Sequence, residues 1–169
     1  IQHIIKNLFN YDGKPLRINV QSDLFSGAGL GSSAALSNAM GAALHQFTRP
    51  EQEINLIKLS KIGHSAEAAT QEGRASPTDS AASSLGGCVV VSGERIDTLN
   101  HVFDTSLVTP EGKRSWSIHQ AELHENINQS WLVLGFTGQS SPTGKMVSGV
   151  AKRLKQNPQL YDEMKSIEN

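Results

Sequence analysis

A run of small residues, Ser26-Gly27-Ala28-Gly29-Leu30-Gly31-Ser32-Ser33-Ala34-Ala35, offers the clearest chemistry in this chain. It follows a strand-like segment, Arg17 to Gln21, and passes directly into a helix pattern from Ala34 to about Gln46. Glycines let a backbone take positive φ and approach a ligand closely. Serines at a helix start can cap orphan amides while the positive end of the helix faces an anion. The chemistry is phosphate binding, and the alternative is a Gly-Ser loop that only caps a helix. The spacing is not that of a P-loop, because no lysine follows Gly31. The dinucleotide fingerprint Gly-x-Gly-x-x-Gly fails as well, since Ser32 stands where its last glycine belongs.

A second group is Glu67-Ala68-Ala69-Thr70-Gln71-Glu72-Gly73-Arg74-Ala75-Ser76-Pro77-Thr78-Asp79. Ser76, Pro77 and Asp79 read as an N-cap, a first-turn proline and an acidic residue near a helix start, so capping alone could account for them. The helix end favours Asp79 as a carboxylate. Such a group can orient a hydroxyl and accept its proton as a phosphoryl group arrives. His64 reads as a surface or satisfied core histidine and is assigned no role. A third segment, Phe136-Thr137-Gly138-Gln139-Ser140-Ser141-Pro142-Thr143-Gly144-Lys145-Met146-Val147, is a Ser/Thr-rich turn that caps a helix.

The elements that must carry these groups are read from periodicity and punctuation. Helix is expected at 1–9, a turn at Tyr11-Asp12-Gly13-Lys14-Pro15, a strand at 16–21 and a helix at 33–46 that Thr48-Arg49-Pro50 breaks. A long helix is expected from Glu51 to about Glu72, with Ile54, Ile57, Ile62 and Ala66 among its apolar positions and a bend at Gly63. Pro77 to Leu85 reads as a short helix ended by Gly86-Gly87, followed by a buried strand, Cys88 to Ser92. Residues 93–130 show no clear period, Trp131 to Phe136 reads as a buried strand, and Thr143 to Lys155 as a helix.

The 169 residues, 37% hydrophobic with a formal net charge of −1, suffice for a core and give no basic footprint for nucleic acid or an acidic membrane surface. No apolar stretch approaches the ~20 residues of a membrane span, so a soluble, cytoplasmic protein is expected. The one cysteine, Cys88, lies in an apolar run and reads as a small buried hydrophobe in a reducing compartment. The chain starts at Ile1, within a helical pattern and without an initiating Met, and reads as a partial chain.

Gly29-Leu30-Gly31-Ser32-Ser33-Ala34-Ala35 resembles the second motif of the GHMP kinases, Pro-x-x-x-Gly-Leu-Gly-Ser-Ser-Ala-Ala, with the upstream proline missing. Ser76-Pro77-Thr78-Asp79-Ser80-Ala81-Ala82-Ser83-Ser84-Leu85-Gly86-Gly87 is similar to the segment that carries the catalytic aspartate in the mevalonate kinases of that superfamily. The resemblance implies ATP and Mg²⁺ as cofactors, with Gly27, Ala28, Gly29, Leu30, Gly31, Ser32 and Ser33 around the triphosphate and Asp79 as the base. It implies Ser33 as a metal ligand, joined by a glutamate about eleven residues before the aspartate. Glu67 lies one residue further away than that, and Glu72 competes for the role. By the same resemblance Thr143, in a turn like one at the start of the second domain, is a candidate substrate contact.

The resemblance implies an α+β protein of the GHMP kinase fold. A ribosomal-S5-like N-terminal domain, partial, is expected over residues 1–110 and the start of a ferredoxin-like domain over 130–169. The family's Pro-Gly-Lys motif, which supplies a catalytic lysine, is expected before Ile1 and its Gly-x-Gly-Gly-Gly motif after Asn169. The implied reaction is transfer of the γ-phosphoryl of ATP to the 5-hydroxyl of mevalonate in isoprenoid synthesis, with mevalonate as the small-molecule partner, no nucleic acid or membrane partner, and a homodimer compatible with it. Phosphomevalonate kinase, mevalonate diphosphate decarboxylase and a non-catalytic nucleotide- or sugar-binding module are the alternatives.

Overall fold

Helix boundaries in the first half of the chain follow the residues that can cap them. The computed structural model describes residues 1–24, 28–71, 73–109, 112–135, 138 and 143–166. Helix α1 runs Ser32–Thr48 and α2 Leu56–Thr70. The expected start of α2 at Glu51 is corrected to Leu56: Asn55 adopts an extended conformation and its side chain accepts the Lys58 N–H, a strong start signal that leaves residues 51–54 outside. Gly63 does not interrupt α2. Helix α3 spans Thr78–Leu85 and stops at Gly86 and Gly87, whose φ values of 69° and 68° a side chain would disfavour.

Strand β1, Cys88–Ser92, has the expected bounds but is half-buried throughout, Cys88 included, rather than buried. The aperiodic stretch after it forms a hairpin, β2 Asn100–Thr109 and β3 Gly112–Ala121, and the antiparallel sheet has the order β1-β3-β2. Val90 pairs with His119, and Phe103 with Ile118 just past an irregularity between His101 and Phe103. Runs of polar residues, Asp104-Thr105-Ser106 and Lys113-Arg114-Ser115, broke the alternation that would have marked these strands. Asp104 binds Arg95 (2.8 Å), His101 (2.9 Å) and Ser117 (2.8 Å), and these partners, Arg95 first, hold its carboxyl far below the usual range.

The chain divides into two compact units, Ile1–Ser22 with Gly31–Val133, and Asp23–Leu30 with Leu134–Asn169. In the first, Ala81 of α3 packs with Phe103 and Ile118 of the sheet, and Ile57, Leu85, Val89, Val91, Val102 and Trp116 close around them. A second cluster joins Met40 and Leu44 of α1 to Ala66 of α2 and Ile4. Burying each large apolar side chain contributes roughly 1.5–3 kcal/mol. The expected N-terminal helix is a π-helical segment, His3–Leu8, in which the Phe9 N–H reaches Ile4 O at 3.0 Å. The wide turn brings Ile4 and Phe9, five residues apart, onto one cluster.

Two expected strands do not form among the described residues, Phe136 at the end of the second lying outside them. Residues 16–21 and 131–135 have no regular structure, and Trp131, Leu132 and Val133 are 92, 88 and 87% exposed rather than buried. Strand propensity yields a strand only where a neighbour takes up the backbone bonds, and neither segment has a paired strand among the described residues. In the second unit, α4 (Thr143–Gln156) has nearly the expected bounds and is followed by α5 (Gln159–Lys165). Val150 and Leu154 of α4 line a groove with Leu160 and Met164 of α5.

Candidate functional site

Three helices of the first unit present their ends to one place. Gly31 is the N-cap of α1 in a left-handed conformation, φ 64° and ψ 23°, and Ser32 and Ser33 are already helical. The expectation that the serines cap α1 is therefore corrected: Gly31 has no side chain to offer, and the Ser33 hydroxyl turns to the Glu67 carboxylate. Helix α3 starts one residue later than expected, after Pro77. The Ser76 hydroxyl still accepts the Thr78 N–H at 3.3 Å and meets the Thr78 hydroxyl at 2.8 Å, which leaves Asp79 free of capping work.

Asp79 lies in the first turn of α3 and is exposed, whereas Glu67, in the last turn of α2, is buried. A Cβ built on Gly31 would stand 3.3 Å from both Cβ and Cγ of Asp79, so the starts of α1 and α3 touch there. The Glu67 carboxyl is pushed up to about 7 by its burial first and then by the negative charge of Asp79, while the Ser33 hydroxyl opposes the shift. The α2 terminus thus brings a carboxyl that ionises only reluctantly, and the α1 and α3 starts bring positive helix ends.

A hydroxyl and two carboxylates are hard oxygen donors, which suits Mg²⁺. Among the described residues no group of three or more His, Cys, Asp or Glu forms a self-sufficient metal cage. Such a donor set matches an ion that shares its shell with phosphate oxygens and water. Two helix starts beside it suit the phosphates themselves.

Ala28, Gly29 and Leu30 belong to the second unit, where Gly29 has φ 74° and all three reach solvent. Gly27 and Glu72 lie outside the described residues, as does the side chain of Thr143, the first residue of α4. Of the residues singled out from the sequence, the structure unites Gly31, Ser33, Glu67 and Asp79.

Two residues that sequence reasoning passed over support them. His64 is fully buried, its Nε2 lies 3.0 Å from Ala75 O, and its ring meets Trp116 edge-on at 5.4 Å. It ties α2 to the segment leading to α3 and to the sheet; burial pushes its pKa down, with the Ala75 bond opposing. Asn38, buried in α1, donates from Nδ2 to Ser80 O at 2.8 Å. Neither has a spacing signal, because each partner is distant in sequence.

Residues 1–87 match the family described as the GHMP kinases N terminal domain. The chain belongs to the GHMP kinases. The matched stretch contains Gly31, Ser33, Glu67 and Asp79. Over 163 residues the chain is 29% identical to a mevalonate kinase of Methanothermobacter thermautotrophicus, covering 94% of this chain and 45% of the relative. Over 145 residues it is 26% identical to a mevalonate kinase of Pyrococcus furiosus, covering 86% of this chain and 35% of the relative. It therefore spans less than half the length of these curated relatives. No solved structure matches the chain with significance. Among the described residues no helix is long and apolar enough to cross a membrane.

Proposed function

We propose that the protein is an ATP-dependent kinase of a small alcohol, and specifically a mevalonate kinase that phosphorylates the 5-hydroxyl of mevalonate. The observation that carries this reading is the meeting of Ser33, Glu67 and Asp79 where α1 and α3 begin. The two mevalonate kinase relatives support the choice of substrate. In this reading residues 27–33 are the triphosphate contacts and Thr143 is a substrate contact. The finer fold assignment belongs to the same proposal: an S5-like domain over 1–110 and the beginning of a ferredoxin-like domain over 130–169, in a cytoplasmic enzyme.

The exposed carboxylate of Asp79 suits a base: it can accept a hydrogen bond from the attacking hydroxyl and take the proton as the new O–P bond forms and the bond to the ADP oxygen breaks. Gly31 has no side chain between the α1 start and Asp79, which keeps phosphate donors and base adjacent. Ser33 and Glu67 would hold Mg²⁺, which supplies neutralisation of charge on the phosphate oxygens.

The deciding assay is ADP release by the full-length protein with mevalonate, phosphomevalonate and mevalonate diphosphate as acceptors, on wild type and Asp79→Asn. Asn keeps a hydrogen-bond acceptor at the helix start, so the variant should melt within about 1 kcal/mol of wild type. Its kcat should fall at least ~10²-fold with KM for ATP nearly unchanged. A kcat within a few-fold of wild type would remove Asp79 from the mechanism. Turnover of a phosphorylated acceptor alone would replace mevalonate, and ATP binding without turnover of any acceptor would make the protein a binding module.

A further inference from the structure

Asn38 is a polar residue at the point where the three site-bearing helices meet. It is 3% exposed, in the middle of α1 and five residues beyond Ser33. Its Nδ2 donates 2.8 Å to the carbonyl of Ser80, the residue after Asp79, and Ser80 is itself fully buried. Its Oδ1 is buried with no hydrogen-bond partner among the described residues. That oxygen fills the space left by Gly63, four residues before Glu67: a Cβ on Gly63 would fall 2.0 Å from Oδ1 and 3.2 Å from the Ser80 Cβ.

An amide buried with one end unsatisfied is costly, and an apolar side chain of similar size would pack between the helices without that cost. Core packing therefore does not account for an asparagine here. What it supplies is a directed bond. Each of its contacts lies about one helical turn or less from a site residue on the partner helix, Gly63 from Glu67 and Ser80 from Asp79, and a turn rises about 5.4 Å. Ser80 O is further held by the Ser84 hydroxyl at 2.9 Å, so the pull of Asn38 acts on a well-anchored carbonyl.

We propose that Asn38 is a positioning residue that sets where Asp79 stands relative to Ser33 and Glu67, by fastening α3 to α1 across the glycine of α2. Only the turnover arm of the test rests on the kinase reading.

The variant is Asn38→Leu in the full-length protein, which keeps the branching and the number of side-chain heavy atoms and removes the donor. Two readouts are followed. In turnover, kcat should fall about tenfold or more while KM for ATP changes less than about twofold, the split expected when the base rather than the nucleotide is displaced. In hydrogen exchange, the helix-bonded amides from Ala81 to Leu85 should exchange about tenfold faster, with β2 and β3 unchanged, because one hydrogen bond holding a local unit has gone. Unchanged kcat, or exchange that rises equally in α3 and the sheet, would overturn the proposal, since either reduces Asn38 to general packing. Should the wild type transfer phosphoryl groups to no alcohol, the kinase reading fails, and local exchange in α3 alone decides for or against Asn38. Should Asn38→Leu not fold, Asn38→Ser, too short to reach Ser80, is measured in the same way and judged by the same outcomes.

Discussion

Replacing Glu67 by glutamine isolates the electrostatic tension in the site. Glu67 has an ordinary value of 4.5 and is pushed to about 7 by burial and by Asp79. Between those values the folded protein holds a proton that the unfolded chain has released. The native state thus binds more protons, and stability falls as pH rises through this window. At about 1.36 kcal/mol per pH unit the loss comes to about 3 kcal/mol, fully present as stabilisation below 4.5 and gone above about 7. A glutamine at this position would keep the size and accept the Ser33 hydroxyl without a charge to bury. Urea unfolding at pH 5, 6, 7 and 8, without divalent cations, should show wild type losing about 3 kcal/mol relative to Glu67→Gln across the series. Taking the difference between the two proteins cancels His64 and Asp104, whose lowered values make stability fall on the acid side. Mg²⁺ with ATP should remove much of the wild-type loss, because the ionised carboxylate then has a cation. A difference that stays constant from pH 5 to 8 would refute the reasoning, for it would mean that Glu67 is ionised throughout or is not buried against Asp79.

Three further outcomes test the metal chemistry of the site and the packing of its helices. Ser33→Ala should weaken use of Mg·ATP far more than binding of ADP without metal, checked by steady-state kinetics and calorimetry; equal losses would exclude Ser33 as a ligand. Gly63→Ala should destabilise the protein by about 1–3 kcal/mol, because its Cβ would meet Asn38 Oδ1 at 2.0 Å. Gly41→Ala should cost less than Gly63→Ala in the same melting experiment: its Cβ meets Cγ2 of Ile62 at 3.0 Å and Cδ1 of Leu59 at 3.1 Å, of which the leucine end can give way, and helix propensity gains up to about 1 kcal/mol.

What the sequence determines by itself is local. The passage from Gly31 into α1, the start of α3 beside Ser76 and Pro77, the Gly86-Gly87 stop and the bounds of strand β1 follow turn, cap and period chemistry, although a glycine rather than a serine caps α1. Each depends on residues a few positions apart, and the sequence displays such neighbours directly. Where two local signals competed, as at Glu51 and Asn55, the side-chain cap prevailed over the apolar period. Tertiary structure alone decided the rest. Residues 16–21 and 131–135 have strand composition but no partner strand, while the polar stretch 100–121 became a hairpin because its neighbours could pair. In the site, Ser33, Glu67 and Asp79 are legible one by one, yet the proton that Glu67 retains near neutral pH arises only from its burial beside Asp79. The joining of α1, α2 and α3 at Asn38, Gly63 and Ser80 likewise leaves no period or motif, since burial and charge coupling depend on distances in space that spacing along the chain does not carry.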